Sequence, residues 1–589
     1  MSQFSSSDGP RAPHSGVAGR VLFAAAFLAS SAMLAPVAAA SAEELVTKPQ
    51  FTERRNLPRA IRDAVTGSNI VEPSLAVINA PSSAKISLVR GFEGTSDYDS
   101  RALGAALIPP DTMGAVGTTQ YVQLINGSFS VYDKATGALA APRISDSAFW
   151  TSIGGGATGG DPRILFDQPS NRWLAIGFDA SGTNIRIGVS TTDNALGPWK
   201  SAVVPGVSGS AFPLGGIADY PTVSISGNAV IIGTNDFATT STGGFSYQGT
   251  TLNVLNRADI FGAAGPDVTS LVKFETRRPF LTLEGADRGF AIQGVNSNEA
   301  GSTATVVAAS AFLNDKLTYT INGAGTAGAS QTSQIYLSDV GGSTYDSVNF
   351  ARQPVVGANA RIIDALDDRI SASAWEVKGK IYFVSTVTPT GADNAVVRIT
   401  VLDKATSTVL SETDINDPSG NFDFYQGSLA VNSRGQLVVG FNRSGSVETG
   451  QDGRISIFAR SYRTLADGTL VQFGDDLLIK QSLVDEYHNG SAIGQAAAGR
   501  QRWGDYSSVT LDPTNGQSFW ITGEFAREYN TLANHPEGSG SGFARWGTYI
   551  AEVNLAAVPE PGSWMLMVAG FGLVGGLARR RREDESVIA

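Results

Sequence analysis

The sequence predicts an all-β protein, a β-propeller with seven blades favoured, ending in a C-terminal transmembrane sorting helix. Three observations lead there. The chain has 67 glycines against five methionines and no cysteine, a composition of many turns and short strands. One hairpin pattern recurs along its body. Strand-like runs, NIRIGVSTT, TLNVLN, AVVRITVLD and RISIFARSY, lie between the hairpins and would supply outer strands.

Residues 1–42 read as a signal peptide. Arg11 and Arg20 precede the apolar stretch VLFAAAFLASSAMLAPVAAASAEE, and small residues stand at Ala38-Ala39-Ala40 or Ala40-Ser41-Ala42, where signal peptidase cuts. An uncleaved anchoring helix is the alternative, disfavoured by Pro36 and the alanine-rich exit. The chain is thus expected outside the cytoplasm, and without cysteine its stability must come from packing rather than disulfides. Residues 43–100, with Pro58, Pro73 and Pro81, read as a lead-in segment able to donate a closing strand.

Residues 101–556 carry the repeat. DTMGAVGTTQYVQLINGSF from Asp111, DPRILFDQPSNRWLAIGFD from Asp161, DYPTVSISGNAVIIGTNDF from Asp219 and DYSSVTLDPTNGQSFWITGEF from Asp505 share one order: Asp, alternating strand, turn, apolar strand. Weaker copies start at Arg278 (RPFLTLEGADRGFAIQGV), Asp368 (DRISASAWEVKGKIYFVSTV) and Asp423 (DFYQGSLAVNSRGQLVVGF). The spacing leaves room for a four-stranded blade at each, and a closed ring buries both faces of every blade. An array of β-sandwiches is the alternative. The longest gap, 297–367, is rich in Gly, Ser and Thr and reads either as a binding insertion over one mouth or as a tolerated loop.

Residues 557–589 hold Val558-Pro559-Glu560-Pro561, fifteen apolar or small residues from Trp564 to Ala578, then Arg579, Arg580, Arg581 and Arg582. The apolar run is short for a span, but a tryptophan at one interface and arginines at the cytoplasmic one allow it to insert. The triplet, helix and arginine cluster together closely resemble the PEP-CTERM sorting signal of Gram-negative bacteria. The resemblance implies processing by an exosortase, a membrane transpeptidase-like enzyme, in cells that make exopolysaccharide.

Net charge is −11 and both termini are slightly basic, so the acidity lies in the body, which argues against nucleic-acid binding. Segments PPDTMGAVG, DPRILFDQPSNRW, DDRISASAWEVKGKIYFVSTV, FNRSGS and RWGDYSSVTLDPTNGQSFWITGEF look like a family of secreted bacterial propeller proteins grouped with the sialidase-like superfamily. That resemblance implies a fold and an extracytoplasmic life but no settled activity. Asp boxes of the Ser-x-Asp-x-Gly-x-Thr-Trp kind are absent, the nearest stretch being STTDNALGPW, which weakens any transfer of sialidase chemistry.

Catalytic residues are not legible. Only His488 and His535 follow the signal peptide, which disfavours histidine triads and His-rich zinc sites. A glycosidase needs two spaced carboxylates, or a Tyr–acid pair with arginines for a sialic acid. Asp161 with Arg163, Asp368 with Arg369, Asp505 with Tyr506, Glu524 and Arg443 supply such groups. The more informative pattern is that Asp111, Asp161, Asp219, Asp368, Asp423 and Asp505 each open a hairpin and would ring one mouth of the channel. They serve either as turn caps or as ligand-binding carboxylates for sugar hydroxyls or Ca²⁺. No EF-hand loop supports calcium, and no metal or other cofactor is otherwise expected. Trp173, Trp375, Trp503 and Trp520 are expected to pack between blades.

Two functions follow. One is an exported envelope, surface or matrix protein that binds glycan or protein without catalysis, with exopolysaccharide as a candidate partner and signal peptidase and exosortase as processing partners. The other is a glycan-active hydrolase or lyase of sialidase-like type.

Overall fold

The computed structural model describes residues 86–555 except 106, 279–285, 343, 355–362, 447–452, 485–500 and 530–543. The signal peptide, most of the lead-in, the sorting segment with its apolar helix, and both His488 and His535 lie outside the described residues.

The strands run up and down in sheets of mostly four. Thr158–Asp167, Arg172–Asp179, Ile185–Ser190 and Trp199–Val204 form one, and Gly216–Ser226, Ala229–Thr239, Phe245–Asn256 and Val272–Arg277 form the next, each strand antiparallel to its neighbours. Burial falls from the axis outward. Ala229–Thr239 is buried almost throughout, whereas Trp199–Val204 is half-exposed, as expected when the inner strands are covered on both faces by adjoining sheets. Two runs, opening at Phe290–Asn296 and Ala374–Val377, join in a ten-stranded sheet through a parallel pairing of Val295 with Ala374.

The first strands contact one another in cyclic order: Gly114–Val116, Thr158–Asp167, Gly216–Ser226, Phe290–Asn296, Ala374–Val377, Phe422–Val431, Ser508–Leu511, then Gly114–Val116 again. This closed ring of radial sheets is a β-propeller. Separate apolar clusters fill the gaps between sheets. Ile176, Ile187 and Val189 meet Val223 and Ile232; Val384 and Ile399 meet Leu429 and Val439; Ala430, Val438 and Ile457 meet Ile521 and Val553. Trp173, Trp503 and Trp520 are fully buried in such clusters, and Trp375 is half-buried.

Closure joins the two ends of the body. Ile86–Ser96, from the lead-in, pairs antiparallel with Ala544–Leu555 and forms the outer edge of the last sheet. Tyr121 and Tyr132 of the first sheet pack with Trp520 and Ile550 of the last. Lys134 Nζ crosses the same junction to Asp512 at 2.7 Å. It belongs to Asp133-Lys134-Ala135-Thr136, a turn in which Asp133 accepts the N–H and hydroxyl of Thr136, both at 2.8 Å. The same residues recur at 403–406 with the same bonds, at 2.8 and 2.9 Å.

Two expectations are corrected. The hairpin expected from Arg278 is displaced: Val272–Arg277 is an outer strand of one sheet, and the next sheet starts at Phe290–Asn296. The apolar run FAIQGV is therefore a first strand, not a second. The supposed insertion at 297–367 is in part blade, since Thr303–Ala309 and Lys316–Asn322 are paired strands of that sheet. A strand such as TATVVAA, buried on both faces, lacks the polar alternation that marks a half-exposed one.

Candidate functional site

A bulge recurs in the first strand of several blades. The register with the second strand slips between Gly160 and Arg163, between Asp219 and Thr222, between Phe290 and Gln293, and between Tyr425 and Ser428. The first extra residue is left-handed each time: Asp161 at φ 50°, Tyr220 at 52°, Ala291 at 51° and Gln426 at 55°. Asp111, just before the first strand of its sheet, adopts φ 50° as well. Such bulges re-aim the side chains beside them, and positive φ outside glycine is concentrated where function or close packing demands it.

Asparagines on neighbouring blades hold these bulges. Asn126 accepts the Asp161 N–H at 2.9 Å and donates to Asp111 Oδ2 at 2.8 Å, while Asp111 Oδ1 accepts the Asp505 N–H at 2.7 Å. Asn235 accepts the Ala291 N–H at 2.8 Å in the same manner. The last, first and second blades are thus sewn together at one end of the axis.

Three arginines and two tyrosines fill this end. The Arg163 guanidinium lies 3.3 Å from the Tyr506 ring centre and 5.1 Å from that of Tyr220, and donates to the carbonyls of Pro221 at 3.1 Å and Ser371 at 3.3 Å. Arg369 grips Asp367 through two bonds of 2.7 and 2.9 Å, stands 3.7 Å from Asp505, and covers the Tyr220 ring at 4.5 Å. Arg502 bonds Asp505 and lies 4.0 Å from Asp364. The Tyr506 hydroxyl donates to the Pro162 carbonyl at 2.9 Å, and the Tyr220 hydroxyl reaches the Ser371 and Asp505 carbonyls at 3.4 Å.

Crowded carboxylates here resist ionisation. Burial and the Asp505 charge push Asp161 up to about 6. Asp111 is raised well above the usual range by burial and by Asp505 and Asp161, and Asp219 by burial and by Asp161 and Asp505. Asp111 and Asp505 are buried, whereas Asp161 and Asp219 stay partly accessible.

Of the six aspartates expected at one mouth, Asp111, Asp161, Asp219 and Asp505 therefore converge. The other two sit in separate ion pairs. Asp368 is buried against Lys316 at 3.2 Å and accepts the Tyr345 hydroxyl. Asp423 takes the Arg352 N–H at 2.8 Å, its Nε at 2.7 Å, and the Ala395 N–H at 3.1 Å. Arg443 is held between the rings of Phe422 and Phe458, at 4.5 and 4.1 Å.

Sequence reasoning missed Tyr220, Arg502, Gln426 and Asn126. Signals existed: the Asp-Tyr dipeptide occurs at both 219–220 and 505–506, and Asn126, Asn235 and Asn442 each stand six residues after the start of a second strand, Asn126 just past its end. Among the described residues no three His, Cys, Asp or Glu side chains are placed to share one metal ion.

Several solved structures share a broad likeness. A protein of unknown function from Dyadobacter fermentans is 8% identical, with 79% of this chain and 99% of that one covered, at a TM-score of 0.35. The WD40 domain of Toxoplasma gondii coronin is 10% identical over 81% and 87%, at 0.36. Trypanosoma rangeli sialidase is 11% identical over 66% and 53%, at 0.29. No curated protein sequence matches the chain. Residues 557–582 match the PEP-CTERM protein-sorting motif; the chain carries an address for export and sorting to the cell envelope, and that address implies processing by an exosortase.

Proposed function

We propose that this is a seven-bladed propeller of the envelope or extracellular matrix, with 1–42 as signal peptide, 101–556 as propeller and 557–589 as sorting segment. It binds glycan or protein without catalysis through the axial mouth. The observation that carries this reading is that the axial groups are largely taken up by one another, with Arg163 Nη2 a buried exception. Arg369 and Arg502 are held by carboxylates, Arg163 by carbonyls and tyrosine rings, and the Tyr220 and Tyr506 hydroxyls by carbonyls. What the mouth still offers is the partly accessible Asp161 and Asp219, acceptors suited to sugar hydroxyls or backbone N–H groups.

A glycan-active hydrolase or lyase is the second reading. It draws on Asp161 alone, because a carboxyl titrating near 6 suits a general acid.

The test is binding of the purified protein to the exopolysaccharide of its producing cell, by calorimetry, with sugar release followed in parallel. Asp161→Asn and Asp219→Asn should each weaken binding about three- to tenfold, the worth of one hydrogen bond. Asp368→Asn should not. Unchanged affinity in the first two removes the mouth as the binding site, and sugar release that disappears in Asp161→Asn establishes the enzyme reading.

A further inference from the structure

Glu524 lies in the second strand of the last blade, Ser518–Tyr529, paired with Thr548. Its side chain is 2% exposed, and neither carboxyl oxygen has a hydrogen-bond partner. A buried polar group without a partner costs on the order of several kcal/mol and is rare in folded proteins. The neighbouring blade contrasts with it. There Asn442 uses its amide to bond the Glu524 carbonyl at 3.0 Å and the Trp503 indole at 3.2 Å.

The surroundings of Glu524 are oxygens. A β-carbon placed on Gly504 would stand 3.1 Å from Glu524 Oε2, 3.8 Å from Gln426 Oε1 and 3.9 Å from the Tyr506 carbonyl oxygen. Gln426 donates its amide N–H to the Gly504 carbonyl. The carboxyl of Asp111 is close enough to reinforce the effect of burial in holding Glu524 well above its usual range. The space that glycine leaves is thus faced by a carboxyl, an amide oxygen and a backbone oxygen, the last of which also accepts the Thr112 hydroxyl at 3.1 Å.

An oxygen-lined niche this small does not admit a sugar ring, and it repels an anion. Hard cations take carboxylate, amide and backbone oxygens and complete their shell with water. One carboxyl and two neutral oxygens make it a mixed site, in which neutral oxygens contribute more ligands than charged ones. We infer that Glu524, Gln426 Oε1 and the Tyr506 carbonyl form a site for a single hard divalent cation of calcium type. It lies where the last blade meets the first blade and the blade opening at Phe422–Val431. The inference does not depend on what the mouth binds.

The test uses the full chain purified in mild detergent and stripped with EDTA. Calorimetry should find one Ca²⁺ per chain with a dissociation constant on the order of 10⁻⁴–10⁻³ M, the range of extracellular modules, and saturating Ca²⁺ should raise the thermal midpoint. Glu524→Gln keeps the shape, removes the charge, and should lose at least about tenfold in affinity while its EDTA-stripped midpoint matches or exceeds that of the parent. Gly504→Ala fills the niche and should lose binding with the carboxyl intact. A parent chain that binds no Ca²⁺, or Glu524→Gln and Gly504→Ala chains that bind it as the parent does, overturns the site.

Discussion

Acid should stabilise this propeller over a range where it leaves most proteins unchanged. Asp161 titrates at about 6 in the folded chain against an ordinary 3.8, so the folded state holds that proton more tightly than the unfolded state. Below pH 4 the carboxyl is neutral in both states and contributes nothing. Between about pH 4 and 6 the unfolded chain has released this proton while burial and the Asp505 charge make the folded chain keep it, so stability falls across that window and levels off above it. At 1.36 kcal/mol per pH unit the cost at pH 8 reaches about 3 kcal/mol, a ceiling because Asp161 retains some contact with water. Asp111, Asp219 and Glu524 are raised for the same reasons and act in the same direction. Asp161→Asn removes the titration while an asparagine still tolerates the left-handed φ of 50°. Urea unfolding in EDTA at pH 5 and pH 8 measures the effect. The parent should be more stable at pH 5 than at pH 8 by about 1.4 kcal/mol, and the variant should gain up to about 3 kcal/mol at pH 8 and about half of that at pH 5. Equal gains at both pH values would refute the electrostatic account.

Closure and sorting give two further tests. Asp97 follows the closing strand, fully buried, with Arg101 at 2.8 Å and Arg545 of the final strand at 3.5 Å; Asp97→Ala removes the buried partner of Arg101 and leaves Arg545 with Glu528, and should cost about 3 kcal/mol in urea unfolding. A loss under about 1 kcal/mol would show that this ion cluster does not latch the ring. Replacing Pro559, Glu560 and Pro561 by alanine should stop tail processing and leave export intact, as read by fractionation and immunoblot; normal processing in that variant would reject the triplet as the recognised element.

The sequence by itself determined the repeated hairpins, the sorting tail and the absence of cysteine chemistry. The hairpins at Asp111, Asp161, Asp219, Asp368, Asp423 and Asp505 are legible because strand, turn and strand are local, with strand pattern and turn residues set within some twenty positions. The hairpin from Arg278 failed because a run buried on both faces has no alternation to mark where a blade begins. Which aspartates meet was decided only by ring closure. Asp505 donates its N–H to Asp111 across 394 positions of sequence, and Asn126 ties Asp111 to Asp161 on the next blade. Asp368 and Asp423 open their hairpins with the same residue type, yet Lys316, Tyr345 and Arg352 take them as partners in other junctions. Local pattern assigns a residue to a strand. Its charge partners are set by which blades the closed ring brings together, and no short-range pattern encodes that.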